Sequence, residues 1–202
     1  MAIRQLVLGN ILENCGFFFD EAAKEGVVID PGDECHKITK ALEKYGFKVT
    51  AILLTHGHFD HIGAANELKA DTGAKIYIHK ADARMIEDPE SNGSLLFRGE
   101  KISVKADGFL AEGDVIKTGS LELTVIHTPG HTKGSICLVS GKAIFTGDTL
   151  FCGGVGRTDL PSASYEDIMY SIKDKLFKYP DDTRIYPGHG YESTIGNERI
   201  LY

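Results

Sequence analysis

The sequence predicts an α/β protein, an αββα sandwich of two mixed β-sheets with helices on the outer faces. Three observations predict it. Strands followed by a helix occur in the first half of the chain, and the same order returns in the second. The strands are short and rich in Val, Ile and Leu, as expected for strands covered on both faces. Tight turns at Gly119-Ser120 and Ser140-Gly141-Lys142 join neighbouring strands as hairpins, so the sheets are mixed rather than purely parallel. The chain has 202 residues, enough for one large core and too few for two, and no linker or low-complexity stretch divides it. One domain over 1–202 is expected.

The elements follow in order. Ala2 to Leu8 and Ile11 to Phe19 alternate as strands around a break at Gly9-Asn10. Gly26 to Asp30 is a short buried strand ending in the turn Asp30-Pro31-Gly32. Ile38, Ala41, Leu42 and Tyr45 recur at helical spacing, with Asp33 as the expected N-cap and Gly46 as the stop. Val49 to Leu54 is the next strand. A helix is expected from His61 to Asp71, ended by Thr72-Gly73. Lys75 to His79 is a strand and Lys80 to Glu87 a short helix ended by Pro89. Glu90 to Ala106 carries little pattern and is expected to be a long loop. Strands at 115–118, 121–127, 135–139 and 143–146 follow. Tyr165 to Lys178 places Ile168, Met169, Ile172 and Leu176 on one helical face, and Thr183 to Tyr186 is a last strand.

Composition narrows the function. Hydrophobic residues make up 42 % and charged residues 25 %, an ordinary globular balance. The net charge of −7 argues against a nucleic-acid surface, which is normally basic. No apolar run approaches the about 20 residues of a membrane span. The early Arg4 and Gln5 do not fit a secretory leader, so a cytoplasmic protein is expected. None of the four cysteines, Cys15, Cys35, Cys137 and Cys152, forms a Cys-x-x-Cys pair, in keeping with reduced thiols. Three read as small buried hydrophobes. Cys152 lies in a segment expected near the site.

The chemistry concentrates at Thr55-His56-Gly57-His58-Phe59-Asp60-His61, where an apolar strand gives way to a helix. His56 and His58 are two apart, which sends both side chains the same way from extended backbone. Neutral imidazole and carboxylate are ligands for zinc and other borderline divalent metals. The helical His-Glu-x-x-His pattern is absent. Further candidates stand just past later strands: His131 in Thr128-Pro129-Gly130-His131, Asp148 in Thr146-Gly147-Asp148, and His189 in Pro187-Gly188-His189. That makes seven candidate ligands. One metal does not need seven; two metals sharing a carboxylate do. His36, His79 and His127 fall outside this set and read as structural. Arg157 has two readings: a bidentate contact to a substrate carboxylate, or a loop-bracing ion pair with Asp159 or another acid.

The set His56-x-His58-x-Asp60-His61, His131, Asp148 and His189 resembles that of the metallo-β-lactamase fold superfamily, over nearly the whole chain. Thr146 to Phe151, Gly154-x-Gly156-Arg157-Thr158-Asp159-Leu160-Pro161, Pro187 to Gly190 and Thr194 to Arg199 resemble the glyoxalase II (hydroxyacylglutathione hydrolase) branch in its short bacterial form. The resemblance implies that His56, His58 and His131 bind one metal, that Asp60, His61 and His189 bind the other, and that Asp148 bridges. Asp30 matches a residue supporting the metal loop from behind. The implied cofactors are two divalent ions, zinc first, with iron or manganese as alternatives. The implied activity is thioester hydrolysis, of S-lactoylglutathione or a related small-molecule thioester, by a hydroxide shared between the metals and oriented by Asp60. Longer members of the branch add a C-terminal helical region that holds glutathione, whereas this sequence ends at Tyr202. Mononuclear iron persulfide dioxygenases share Gly156-Arg157-Thr158-Asp159 and are the alternative, with Leu160-Pro161 favouring the hydrolase. Flavodiiron proteins carry Glu where this chain has His58. Neither a nucleic-acid nor a membrane partner is expected.

Overall fold

The computed structural model describes residues 1–202. The first sheet takes its strands in chain order: β1 (Ala2–Leu8), β2 (Glu13–Asp20), β3 (Glu25–Ile29), β4 (Lys48–Leu53), β5 (Lys75–His79) and β6 (Gly108–Leu110). β1 to β3 pair antiparallel, and β3 to β6 pair parallel. The parallel half needs crossovers, supplied by α1 (Cys35–Tyr45), α2 (Phe59–Ile62), α3 (Ala65–Thr72), α4 (Ala83–Glu87) and α5 (Ser94–Phe97).

The second sheet is built from β7 (Val115–Thr118), β8 (Leu121–His127), β9 (Ile136–Ser140), β10 (Ala143–Gly147), β13 (Arg184–Pro187) and β14 (Ser193–Thr194). Its order is β14-β13-β10-β9-β8-β7. Between β10 and β13 run a two-stranded ribbon, β11 (Leu150–Phe151) with β12 (Gly154–Val155), and α6 (Tyr165–Tyr170). α6 continues through a π turn and a 3₁₀ turn to Lys178, and α7 (Ile195–Arg199) closes the chain. The β10–β13 pair is parallel, so both sheets are mixed.

The burial pattern explains the four layers. β2 is buried along its whole length. Its alternation sends Phe17 and Phe19 into the outer core with Ile38, Ile52 and Leu68, while Phe18 faces the other way. Phe18 meets Val27, Leu53, Leu123, Leu138 and Phe145 between the sheets. A third cluster, with Ile144, Ile168, Ile172, Leu176 and Ile185, seats α6 on the second sheet. The αββα expectation therefore holds, and no helix is long and apolar enough to cross a membrane.

Local differences have tertiary causes. The helix expected over His61–Asp71 starts at Phe59 and breaks between α2 and α3. Gly63 there sits against the Pro31-Gly32 turn: a Cβ on Gly63 would lie 2.2 Å from the Gly32 carbonyl oxygen, and the Ala64 N–H donates to Pro31 at 2.9 Å. Asp33 does not cap α1; Glu34, with φ of 47°, precedes it, and Asp33 pairs with Arg98 at 2.8 Å. The expected loop over Glu90–Ala106 contains α5, organised by buried Asn92, whose side chain bonds the Ile102 carbonyl and the Ser94 N–H. The second strand starts at Glu13 rather than Ile11, and α7 was not expected.

Phe18 tests the inter-sheet layer. It is fully buried and meets Phe145 edge-on at 6.3 Å. Phe18→Ala is expected to cost about 3–5 kcal/mol in urea unfolding, the range for emptying a buried aromatic site. A loss below about 1 kcal/mol would mean that the sheets do not depend on this contact.

Candidate metal centre

The donor residues lie just past the carboxyl ends of β4, β8, β10 and β13, where the two sheets open at one end. Asp30 sets the first of these loops. It follows β3 with a φ of 50°, a left-handed conformation that is uncommon for a non-glycine residue. Its Oδ1 accepts from the Thr55 N–H at 2.7 Å, and its Oδ2 accepts from the Thr55 hydroxyl at 2.6 Å. The same Oδ2 lies 3.0 Å from His61 Nδ1. That contact takes up Nδ1 and turns His61 Nε2 towards Asp148 Oδ1, 3.3 Å away. His131 is held likewise, with Nδ1 2.8 Å from the Arg157 carbonyl oxygen.

All seven candidates converge. His56, His58 and His131 form one group whose ligand atoms lie within 4.8 Å of one another, and Asp60, His61 and His189 form another. Asp148 stands between them, with Oδ2 3.6 Å from His131 Nε2 and 3.8 Å from His189 Nε2. His189 Nε2 is 3.2 Å from Asp60 Oδ2. Gly188 is required beside them, because a Cβ there would come within 2.4 Å of Asp148 Oδ1.

The residues fit a metal centre. His56 Nε2 is buried without a hydrogen-bond partner, and His61 Nε2 and Asp148 Oδ1, 3.3 Å apart, lack hydrogen-bond geometry to each other or to any other group. Such atoms are rare in folded proteins, and three of them within the two donor groups and Asp148 between them ask for a cation. Burial drives the His56 imidazolium pKa well below its usual value, with His61 adding to the effect, and burial then His131 bring His58 to about 4. Both rings are therefore held in the neutral form that ligates. Burial opposes ionisation of Asp148, but His61, His131 and His189 outweigh it and keep the carboxylate charged. Burial likewise opposes a charge on His61, yet Asp148, Asp60 and Asp30 prevail and raise its pKa. The acids create a field that favours positive charge at this point.

Some supporting residues have no sequence signal. Asp82, 2 % exposed, accepts from the Gly57 N–H at 3.0 Å, the Thr132 hydroxyl at 2.6 Å and the Gly134 N–H at 2.7 Å. It thereby ties the His56–His58 loop to the His131 loop. The Asn14 amide donates to the Pro187 carbonyl at 3.0 Å and the Gly190 carbonyl at 2.9 Å, which seats His189. Glu13 is buried beside them with both carboxyl oxygens unpartnered, and burial raises its pKa well above normal.

A cavity of about 420 Å³ opens over His58, Asp60, His131, Asp148 and His189. Arg157 lines it and pairs with Asp159, Nε to Oδ1 and Nη2 to Oδ2 both at 2.8 Å. His36 is exposed on α1. His79 and His127 stack at 4.1 Å away from the donors, and His127 Nε2 lies 2.9 Å from the Lys133 carbonyl. Cys152 is exposed and outside the cavity lining, whereas the other three cysteines are buried.

An αββα sandwich with a His/Asp cluster at the strand ends defines a class of metallo-hydrolases. Residues 10–189 match the family model described as the metallo-beta-lactamase superfamily, and the chain belongs to that superfamily. Among its relatives, the hydroxyacylglutathione hydrolase GloC of Haemophilus influenzae is 37 % identical over 93 % of this chain and 90 % of its own length. The probable metallo-hydrolase YqgX of Bacillus subtilis is 36 % identical over 98 % of this chain and 95 % of its own. Solved structures that share the fold include three at 29–35 % identity. BLEG-1, a B3 metallo-beta-lactamase, has a TM-score of 0.94 at 34 % identity, covering 98 % and 97 % of the two chains. TTHA1623 in a di-iron-bound form has 0.85 at 35 %, covering 97 % and 96 %. ETHE1 from Myxococcus xanthus has 0.83 at 29 %, covering 100 % and 85 %.

Asp30 provides the test of the support shell. Asp30→Ala is expected to lower metal affinity by roughly 10–100-fold, the usual cost of removing a group that orients a ligand. Competition with a chromophoric chelator would measure it, and unchanged affinity would show that His61 needs no such support.

Proposed function

We propose that the protein, as one domain over 1–202, is a dinuclear metal-dependent thioesterase of glyoxalase II type, acting on S-lactoylglutathione or a related acyl thioester. The observation that carries this reading is the pair of donor groups on either side of Asp148, both facing one cavity. The 37 % identity to GloC supports the substrate class, and the di-iron form of TTHA1623 supports two metals. His56, His58 and His131 would hold one ion, Asp60, His61 and His189 the other, and Asp148 both. Zinc is the first choice, with iron or manganese as alternatives. Bound there, the ions would lower the pKa of a water towards roughly 7 and polarise a carbonyl.

The chain's own residues do the rest. Asp60 faces the cavity with its side chain 13 % exposed. It orients the attacking water and takes its proton at a carboxylate oxygen. The water oxygen bonds to the thioester carbonyl carbon, the C–S bond breaks, and the thiolate leaves and is reprotonated. His189, beside Asp60, holds that carboxylate in place. Arg157 stands at the cavity mouth as the substrate contact, one edge of its fork held by Asp159 and Nη1 open. No Ser or Cys nucleophile is needed, and no cysteine lines the cavity. The free thiols fit a cytoplasmic setting.

The second reading, a mononuclear iron persulfide dioxygenase, rests on Gly156-Arg157-Thr158-Asp159 and would need one donor group only. Protein purified without added metal is expected to carry two ions per chain and to hydrolyse thioesters. One iron per chain, no thioester turnover and oxygen uptake with a persulfide would select the dioxygenase. Asp60→Ala, its metal content measured in parallel, is expected to lose about 10²–10⁴-fold in kcat, the usual weight of a general base. Full turnover by a metal-poor variant would remove Asp60 from this role.

A further inference from the structure

Above the donors the cavity wall is apolar: Ile11, Phe59, Phe97, Phe151, Val155 and Leu160. Ile11 is 50 % exposed and Phe97 55 % exposed, so the rim presents hydrophobic side chains to water. Exposed apolar side chains around a concave site mark a surface that a ligand covers. The wall is built rather than scattered. Phe59 and Phe97 stack at 6.1 Å with an interplanar angle of 17°, and Phe151 stands edge-on to His189 at 6.1 Å. Phe151 therefore carries the apolar wall down to the donors themselves.

The cations near this wall are each paired with a carboxylate. Arg157 is the one Lys or Arg lining the cavity, and Asp159 takes one edge of its fork, Nε and Nη2, leaving Nη1 as the open edge. In the adjoining cavity, which shares Ile11, Phe59, Asp60 and Phe97, the one cation is Arg98. It is paired with Asp33 at 2.8 Å and Glu100 at 2.9 Å. A glutathione thioester brings two carboxylates and an ammonium, and for its carboxylates this wall offers only the Nη1 edge of a guanidinium already paired with Asp159.

We propose that the cavity selects a thioester by an apolar acyl chain laid along Ile11, Phe59, Phe97 and Phe151, with the thioester carbon over the donors. The proposal rests on the thioester reading above. Ile11 and Phe97 are the specificity-determining residues, and the thiol carrier contributes little.

The test uses the metal-loaded protein with N-acetylcysteamine thioesters of acetate, butanoate and hexanoate, alongside S-lactoylglutathione. The expected kcat/KM rises about fourfold per methylene, the increment for a buried CH₂, and the hexanoyl ester exceeds S-lactoylglutathione. Phe97→Ser and Ile11→Ser, both at half-exposed positions, flatten that slope to below about twofold per methylene. Methyl and hexyl thioethers, which cannot be hydrolysed, show the same preference in calorimetric binding to metal-free protein. Thioester turnover with no chain-length slope, S-lactoylglutathione being best, would overturn the proposal and leave the thioester reading standing. So would rim variants that turn a dimer into a monomer without changing the slope, since a second copy would then cover the rim. No turnover of any thioester by the metal-loaded protein would sink both.

Discussion

The structure depends on one buried carboxylate. Asp30 ends β3 and takes three hydrogen-bonding contacts, two from Thr55 and one from His61. Its own N–H donates to Leu53 at 3.0 Å, so it belongs to the β3–β4 ladder and to the donor loop at once. Hydrogen bonds to a charged acceptor are the stronger kind, and these lie where water does not compete. They offset the left-handed backbone at Asp30. Through them the rigid parallel half of the first sheet dictates where Thr55 to His61 leaves β4 and which His61 nitrogen faces inward.

The rest of the site comes from far along the chain. His58 meets His131 across 73 positions, and Asp60 meets His189 across 129. Closing such loops costs entropy before any donor contact repays it. The layered core supplies the difference: Phe18, Leu53, Leu138 and Phe145 lock the two sheets face to face, and their open ends then hold the loops in register. Asp82 adds a polar tie between the first and second donor loops, and Asn14 fixes the last. The loops that carry the donors are thus fixed from behind by Asp30, Asp82 and Asn14.

That division explains what could be read from the residues. The donors were legible because each sits in a local pattern, His-x-His-x-Asp-His or a Gly-flanked His or Asp, just past an apolar strand. The layers were legible because strand alternation and helix spacing are local too. Asp82 and Asn14 were not, since their partners lie 25, 50 and 173 positions away and neither carries a motif. The same holds for the break at Gly63, which answers to Gly32, and for Asp33, drawn from its expected cap by Arg98. In each case a tertiary partner overrode a sound local preference. α5 was hidden for a related reason: buried Asn92, not periodicity, organises it.

Arg157 joins the cavity wall to the donors. Its side chain is held in the wall by Asp159, while its carbonyl oxygen receives His131 Nδ1. The loop from Gly156 to Leu160 therefore shapes the mouth and orients a ligand with a single stretch of backbone. Gly156 enforces this, because a Cβ there would fall 1.8 Å from the Asp148 carbonyl oxygen. The loop is pinned against both His131 and Asp148. A substrate that displaced Asp159 from the guanidinium would pull on the backbone that positions His131, and so on the donors. An apolar chain passing beside the pair leaves it intact. The stability of the donor geometry and the proposed preference for an apolar substrate are two consequences of one loop.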